Sequence, residues 1–340
     1  MANRRFERAL RRESQATPPI WLMRQAGRYH HHYQQLRQRH SFMDLCKEPE
    51  LAAEVARGPV ADFGFDAAIL FSDLLFPLEA LGMGLTYPEG GPRLDWQLTT
   101  EESLDRLVDV EEAWPRLRFQ GEAVRRTREV LPTDRSLIGF VGGPWTLFTY
   151  AVEGRHSGSL MPSKRLMGLF DRFCERLVPL LARSIDDQYR AGAEAVMVLD
   201  TASGELSPEL FQDLVVPQLA RLVEGCERAP GYYSKGTQPA HLRGALFTTG
   251  RLAGIGVDYR WDLREALAMF PGGFVQGNFD PALLHLDGET FERLLRRYLE
   301  PLRSVSRDGW ICGLGHGVLP ATPEGNVRRF VEVVREVCGE

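Results

Sequence analysis

Pro19-Ile20-Trp21-Leu22-Met23-Arg24-Gln25-Ala26-Gly27-Arg28-Tyr29 changes character halfway along. The apolar run over residues 19–23 stops at a Gly-containing turn, the pattern of a buried strand feeding a loop. Loops that leave strands carry the ligand groups of α/β folds. Two arginines stand in this one, four residues apart. A planar, permanently charged guanidinium there suits bidentate capture of a carboxylate or a phosphate. A single arginine is better explained by pairing with surface acids. The remainder of the chain decides between the two.

Seven more short apolar runs follow, and most end on something polar. Residues 66–71 lead into Ser72-Asp73, and 137–140 into Gly142-Gly143-Pro144-Trp145. Residues 195–199 end at Asp200-Thr201, and 310–314 run into Gly315-His316-Gly317. Weaker runs lie at 231–233, 254–257 and 273–276. Between them are amphipathic stretches with recognisable starts. Ser207-Pro208-Glu209 offers an N-cap, a proline in the first turn and an acid, before leucines at helical spacing up to Gly225. Asp280-Pro281 and Thr322-Pro323-Glu324 repeat the device. Apolar strands alternating with such helices predict a parallel sheet with crossover helices. Eight units in 340 residues fit one domain over residues 1–340, a (β/α)8 TIM barrel. The longest break in the alternation, Pro77 to about Thr100, reads as a loop or hairpin excursion after the second strand.

Composition excludes several classes. Apolar residues make up 44% and charged residues 26%, as in ordinary globular proteins. No apolar run approaches the roughly 20 residues that span a bilayer, and the start lacks the apolar core of a signal peptide. A net charge of −5 argues against general nucleic-acid binding, and leaves local arginines to attract any anionic substrate. The five cysteines are scattered and show no CxxC spacing, which fits a reducing cytoplasm better than a disulfide framework or a zinc ribbon.

A barrel places its chemistry on the loops at the strands' C-terminal ends. Arg24 and Arg28 follow the first run, Asp73 the second, Thr201 the fourth and His316 the eighth, with Tyr150 a little beyond the third. Each has a plainer role open to it. Asp73 suits a helix N-cap, Tyr150 a core aromatic and Thr201 a turn. His316 suits a structural imidazole, although glycine on both sides points to close approach of a ligand. His30-His31-His32 does not converge on one ion in any regular structure, and no metal is expected. A Schiff-base reading would rest on Lys235, near the fifth run.

Met23-Arg24-Gln25-Ala26-Gly27-Arg28-Tyr29 resembles the N-terminal signature of the uroporphyrinogen decarboxylases. Phe71-Ser72-Asp73 is similar to the segment carrying their central aspartate. Gly143-Pro144-Trp145-Thr146-Leu147 with Tyr150 and Glu153-Gly154, Gln276 to Pro281, and Leu314-Gly315-His316-Gly317 resemble three further family segments. The similarity spans nearly the whole chain. The sequence departs from it at Thr201, where many members carry Ser, and at Ala202-Ser203, where a large residue is often found. Gly313, Phe279 and Tyr259 replace the usual Asn, Leu and Trp.

The resemblance implies stepwise loss of CO2 from the four acetate side chains of uroporphyrinogen III, giving coproporphyrinogen III in haem and related tetrapyrrole biosynthesis. It implies no cofactor, because the protonated pyrrole ring is itself the electron sink. It also implies a cytoplasmic homodimer. Asp73 would accept hydrogen bonds from pyrrole N–H groups and offset the cationic ring. Arg24 and Arg28 would bind carboxylates, an arginine being the family's proposed proton donor. Gln25, Ala26 and Gly27 would add backbone donors, and Tyr150, Thr201 and His316 further substrate contacts. Two rivals share the fold class: a corrinoid-linked zinc methyltransferase, for which no His-x-Cys pair is present, and a tetrapyrrole-binding homologue without turnover.

Overall fold

A computed structural model describes residues 2–89, 91–155 and 157–339. Seven strands form one curled parallel sheet in sequence order: β1 (Ala67–Ile69), β2 (Ser136–Gly142), β3 (Ala195–Asp200), β4 (Gly231–Ser234), β5 (Gly254–Gly256), β6 (Phe274–Phe279) and β7 (Trp310–Leu314). Every strand residue is buried. A parallel sheet whose crossover helices cover it has no solvated face, so its strands read as unbroken apolar runs rather than alternating ones. Seven of the eight predicted runs are strands for this reason.

The first run is the exception. Residues 19–23 form no strand, only an isolated bridge between Ile20 and Cys312. Pro18 and Pro19 lack the N–H groups a ladder needs, and the turn at Met23-Arg24 ends the extended backbone. The short segment nevertheless touches both edges of the sheet. Toward β7, Trp21 N donates to Cys312 O (3.3 Å) and Cys312 N to Pro19 O (2.9 Å). Toward β1, Asp66 N donates to Ile20 O (2.9 Å), and the buried Asp66 carboxylate accepts from Ile20 N (2.9 Å). The sheet is thus TIM-barrel-like.

Helices pack on the outside, among them Pro49–Phe63, Arg118–Val130, Phe170–Arg190, Gly288–Leu299 and Glu324–Cys338. Ser207 caps Pro208–Leu210, and that helical stretch continues to Glu224 with Gly225 at its end. Asp280 caps a 3-10 turn, Pro281–His285, rather than an α-helix. Thr322 does not cap: its hydroxyl donates to Leu319 O (2.8 Å), and Pro323 precedes the helix. One contiguous apolar cluster runs from Phe6 to Cys338, with a small satellite of Tyr33, Leu45 and Val55. The segment after β1 turns through Phe76–Leu78 and Glu79–Met83 and carries one antiparallel bridge, Thr86 to Arg93.

Candidate active site

The arginine turn is built by its own backbone. Gln25 N donates to Leu22 O (3.0 Å), closing a four-residue turn in which Arg24 takes the left-handed conformation, φ +60°. A non-glycine residue there is strained by on the order of 1 kcal/mol or more. From there the Arg24 charge is felt at Asp73, Tyr150 and His316. The histidine loop holds it there: Val318 N donates to Met23 O (2.8 Å), and a Cβ on Gly317 would come within 2.4 Å of Arg24 Cδ. A Cβ on Gly315 would meet Tyr259 N at 2.2 Å. The glycines flanking His316 therefore make room for Arg24 and for the β5 loop.

Gln25 corrects a second expectation. Its side chain is buried, accepting from Leu22 N (3.2 Å) and donating to Ala67 O (3.1 Å). Its own N–H closes the turn and its carbonyl takes the Tyr29 hydroxyl (2.7 Å). Gln25 thus ties the turn to β1, and its backbone N–H is already engaged. The amides of Ala26 and Gly27 have no hydrogen-bond partner among the described residues.

Asp73 lies beyond β1 on a segment anchored by Gln120, whose side chain donates to Ser72 Oγ (2.9 Å). Its carboxylate is half-buried and accepts from Leu75 N (2.9 Å). That bond tightens the turn before Phe76–Leu78, although Leu75 and not Asp73 is the cap residue. Burial raises the Asp73 pKa, while Tyr87, Leu75 N and Arg24 work against the rise. Tyr150, on the helix Pro144–Glu153, packs partly into the core and feels both Asp73 and Arg24. Arg24, Asp73 and Tyr150 are thereby brought together. Both arginines are exposed, but the charge of Arg28 is felt at Tyr33 rather than at Asp73. The two arginines of the motif are not equivalent.

His316 sits above Tyr233, the rings stacked at 6.1 Å. Tyr233 Oη lies 2.9 Å from Gly315 O and 2.9 Å from His316 Nδ1. A carbonyl can only accept, so the phenol proton goes to Gly315 and His316 donates from Nδ1. That tautomer leaves Nε2 as an acceptor. Burial, and then the charges of Arg24, Lys235 and Arg260, push the imidazole pKa down to about 3. The ring is neutral at ordinary pH, and the surrounding positive charge is what a carboxylate would meet first.

Thr201, half-buried, follows the last residue of β3. The turn is held by its neighbours: Asp200 accepts from Thr146 N (2.8 Å) and Thr146 Oγ1 (2.7 Å), and Ala202 N donates to Thr146 Oγ1 (3.0 Å). His30 and His32 diverge to Asp62 and Glu54, at 2.7 and 2.8 Å. Among the described residues no group of three or more His, Cys, Asp or Glu side chains is arranged to hold a metal. No helix there is long and apolar enough to cross a membrane.

Two site neighbours, Arg260 and Tyr87, escape the reading of the sequence, which offers Lys235 only as a Schiff-base nucleophile. Lys235 and Arg260 follow β4 and β5 as Asp73 and Thr201 follow their strands, so the same positional rule extended to the weaker strands finds them. Tyr87 lies in the excursion, and nothing in its local sequence signals its contact with Asp73.

The uroporphyrinogen decarboxylase (URO-D) family matches residues 1–337. The uroporphyrinogen decarboxylase of Myxococcus xanthus is 37% identical over 343 residues, covering 98% of this chain and 96% of that one. That of Chloroflexus aggregans is 40% identical, covering 97% and 95%. Among solved structures, a methyltransferase from Methanosarcina mazei superposes with a TM-score of 0.73 at 18% identity, over 98% and 97% of the two chains. A likeness at that identity concerns the fold alone. The signatures around Arg24, Asp73 and His316 and the full-length match agree, and the chain belongs to the uroporphyrinogen decarboxylase family.

Proposed function

We propose that this protein decarboxylates the four acetate side chains of uroporphyrinogen III, giving coproporphyrinogen III and four molecules of CO2. The observation that carries the reading is Asp73. It is a half-buried carboxylate that accepts from one backbone N–H, under the influence of Arg24 and acting on Tyr150, in a chain of this family.

In each step a proton adds to the pyrrole α-carbon next to the ring carbon that bears the acetate, and the ring becomes cationic. The bond to the acetate carboxyl then breaks, its electrons flow into the ring and CO2 leaves. A proton on the exposed methylene carbon and loss of the ring-carbon proton complete the methyl group and restore the pyrrole. The protein has only to place carboxylates and offset the transient charge. Asp73 accepts from the inward-facing pyrrole N–H groups. Arg24, with Lys235 and Arg260 around neutral His316, draws the peripheral carboxylates, and Tyr150, Thr201 and Arg28 extend the contact surface. The free amides of Ala26 and Gly27 supply donors where no side chain fits.

We further take residues 19–22 as the remaining stave of a (β/α)8 barrel, since they hydrogen-bond to β7 and β1. The Thr86–Arg93 bridge marks the hairpin excursion, and the continuous apolar cluster supports one domain. Five free cysteines agree with a cytoplasmic setting. A homodimer follows from the family resemblance.

Anaerobic incubation with uroporphyrinogen III tests the reading. Products are separated by carboxyl number, and a ladder from eight to four is expected. Unchanged octacarboxylate at high enzyme concentration overturns it.

A further inference from the structure

Tyr87 presents a hydroxyl that is buried and, among the described residues, has no partner of hydrogen-bonding geometry. Buried polar groups are nearly always paired, so such an atom asks for an explanation. The phenol is firmly carried. Thr86 exchanges two backbone hydrogen bonds with Arg93, at 2.9 and 2.8 Å, just before it. Its ring packs on Phe42 at 4.5 Å, Phe42 on Phe71 at 6.0 Å and Phe71 on Tyr33 at 5.6 Å. This aromatic row joins the excursion to the strand end from which Asp73 projects. The hydroxyl lies beside the Asp73 carboxylate, lowers its pKa, and is itself pushed well above the usual phenol range by burial and by that charge. The backbone holds only Asp73 Oδ1.

We propose that Tyr87 is a positioning residue that donates a hydrogen bond to Asp73 as substrate seats, fixing the carboxylate beneath the pyrrole N–H groups and keeping it ionised. The inference rests on Asp73 acting as the central carboxylate of the proposed reaction. A macrocycle drawing on one face of Asp73 leaves the opposite face to be held by the protein, and Tyr87 is the donor in place.

The other groups facing this pair do not take over the task. Arg24 acts on Asp73 from the arginine turn, and Tyr150 from the helix Pro144–Glu153. Cys46, on Phe42–Lys47, is buried and its thiol is pushed upward, so it stays neutral. Glu79, which also acts on Tyr87, is paired with Lys47 at 2.7 Å.

Tyr87→Phe removes the hydroxyl and keeps the ring on Phe42. Wild-type turnover of uroporphyrinogen III is established first; its absence defeats the proposed function, not this inference. With turnover in hand, kcat of Tyr87→Phe is expected to fall roughly tenfold to hundredfold, the range for one hydrogen bond to a charged group, with KM little changed. Activity needs ionised Asp73 and is lost as pH falls through its pKa. Without the donor that pKa rises further, so the acid limb of kcat/KM moves to higher pH. Wild-type kcat, or a lower kcat with an unmoved acid limb, overturns the proposal. Thermal unfolding of Tyr87→Phe near the wild-type temperature certifies the comparison. If the variant proves unstable, Tyr87→His restores a donor on a ring, and its failure to recover any of the lost kcat also counts against the proposal.

Discussion

Asp73 and Asp200 are both aspartates at strand ends, both shielded from water and both raised in pKa by burial. Their surroundings differ. Asp200 is fully buried; one oxygen takes Thr146 N and Oγ1, and the other lies 3.2 Å from Tyr232 Oη. A Cβ on Gly143 would come within 2.2 Å of its own Cβ, so the next strand end closes over it. Asp73 has one backbone donor, a phenol that does not complete its bond, and an accessible side. A carboxylate with every acceptor position filled by protein is a structural joint. One with positions left over has something still to bind. The contrast separates two residues that the sequence presents alike, each an acid just past an apolar run.

Substitution sharpens the contrast. Asp73→Asn keeps the Leu75 bond and removes the charge that offsets a cationic ring. Its kcat is expected to fall by about 3–4 kcal/mol of barrier, several hundredfold, with the thermal unfolding temperature unchanged. Asp200→Ala should do the reverse. It strands Thr146 N and Thr146 Oγ1 without their acceptor and leaves the Tyr232 hydroxyl to Ser203, and a loss of stability on the order of 3 kcal/mol is expected from buried donors left unpaired. The protein that remains folded should keep kcat within about tenfold, because Asp200 sits under the Thr201 turn and touches no open space. Denaturant unfolding and steady-state rates on both variants decide it. Exchanged phenotypes would break the comparison.

The two arginines offer a smaller version of the same test. Arg24 is clamped by Gly317 and acts on Asp73, Tyr150 and His316. Arg28, exposed like Arg24, acts instead on Tyr33. Arg24→Ala should lose about 1.5–3 kcal/mol in kcat/KM, one charge-assisted bond to a carboxylate. Arg28→Ala should lose about 0.2–1 kcal/mol, as for a solvated charge. Equal losses would mean that substrate draws Arg28 into the cleft.

How far the sequence reveals this follows from the range of each interaction. The seven strands were legible because burial on both faces leaves short, uninterrupted apolar runs, and each break in polarity marks a strand end. That break also exposed Asp73, Thr201 and His316. Residues 19–23 fall short of a regular strand because Pro18 and Pro19 remove donors that hydropathy does not count. Gln25 read as a loop donor, since its bond to Ala67 O joins residues far apart in the chain. The glycines around His316 signalled a close approach, but local sequence does not say that Arg24 and Tyr259 are what approaches. Tyr87 and Asp73 meet through an aromatic row drawn from three separate segments, so no window of sequence contains the contact.

The finest prediction concerns how Asp200 holds its proton. Ser203 Oγ donates to Asp200 O (2.7 Å) and lies 3.2 Å from Tyr232 Oη, so the one phenol proton has two acceptors to choose between. When Asp200 is ionised the phenol serves the carboxylate. When Asp200 is protonated it donates to Tyr232, and the phenol proton turns to Ser203. Both arrangements leave every group paired, and burial favours the neutral one, raising the Asp200 pKa to about 6 from an ordinary 3.8. Between those values the folded protein holds a proton that the unfolded chain has released. The stabilisation is therefore fully present below the unfolded value of 3.8 and is lost as pH rises through about 6. Asn at this position is neutral at every pH and keeps an acceptor for Thr146, so it lacks this dependence. The difference in unfolding temperature, wild type minus Asp200→Asn, should decline by about 2–4 °C between pH 4 and pH 7. A difference that grows over that interval would mean that the ionised carboxylate is the form the fold prefers, placing Asp200 beside Asp73 as a carboxylate held charged.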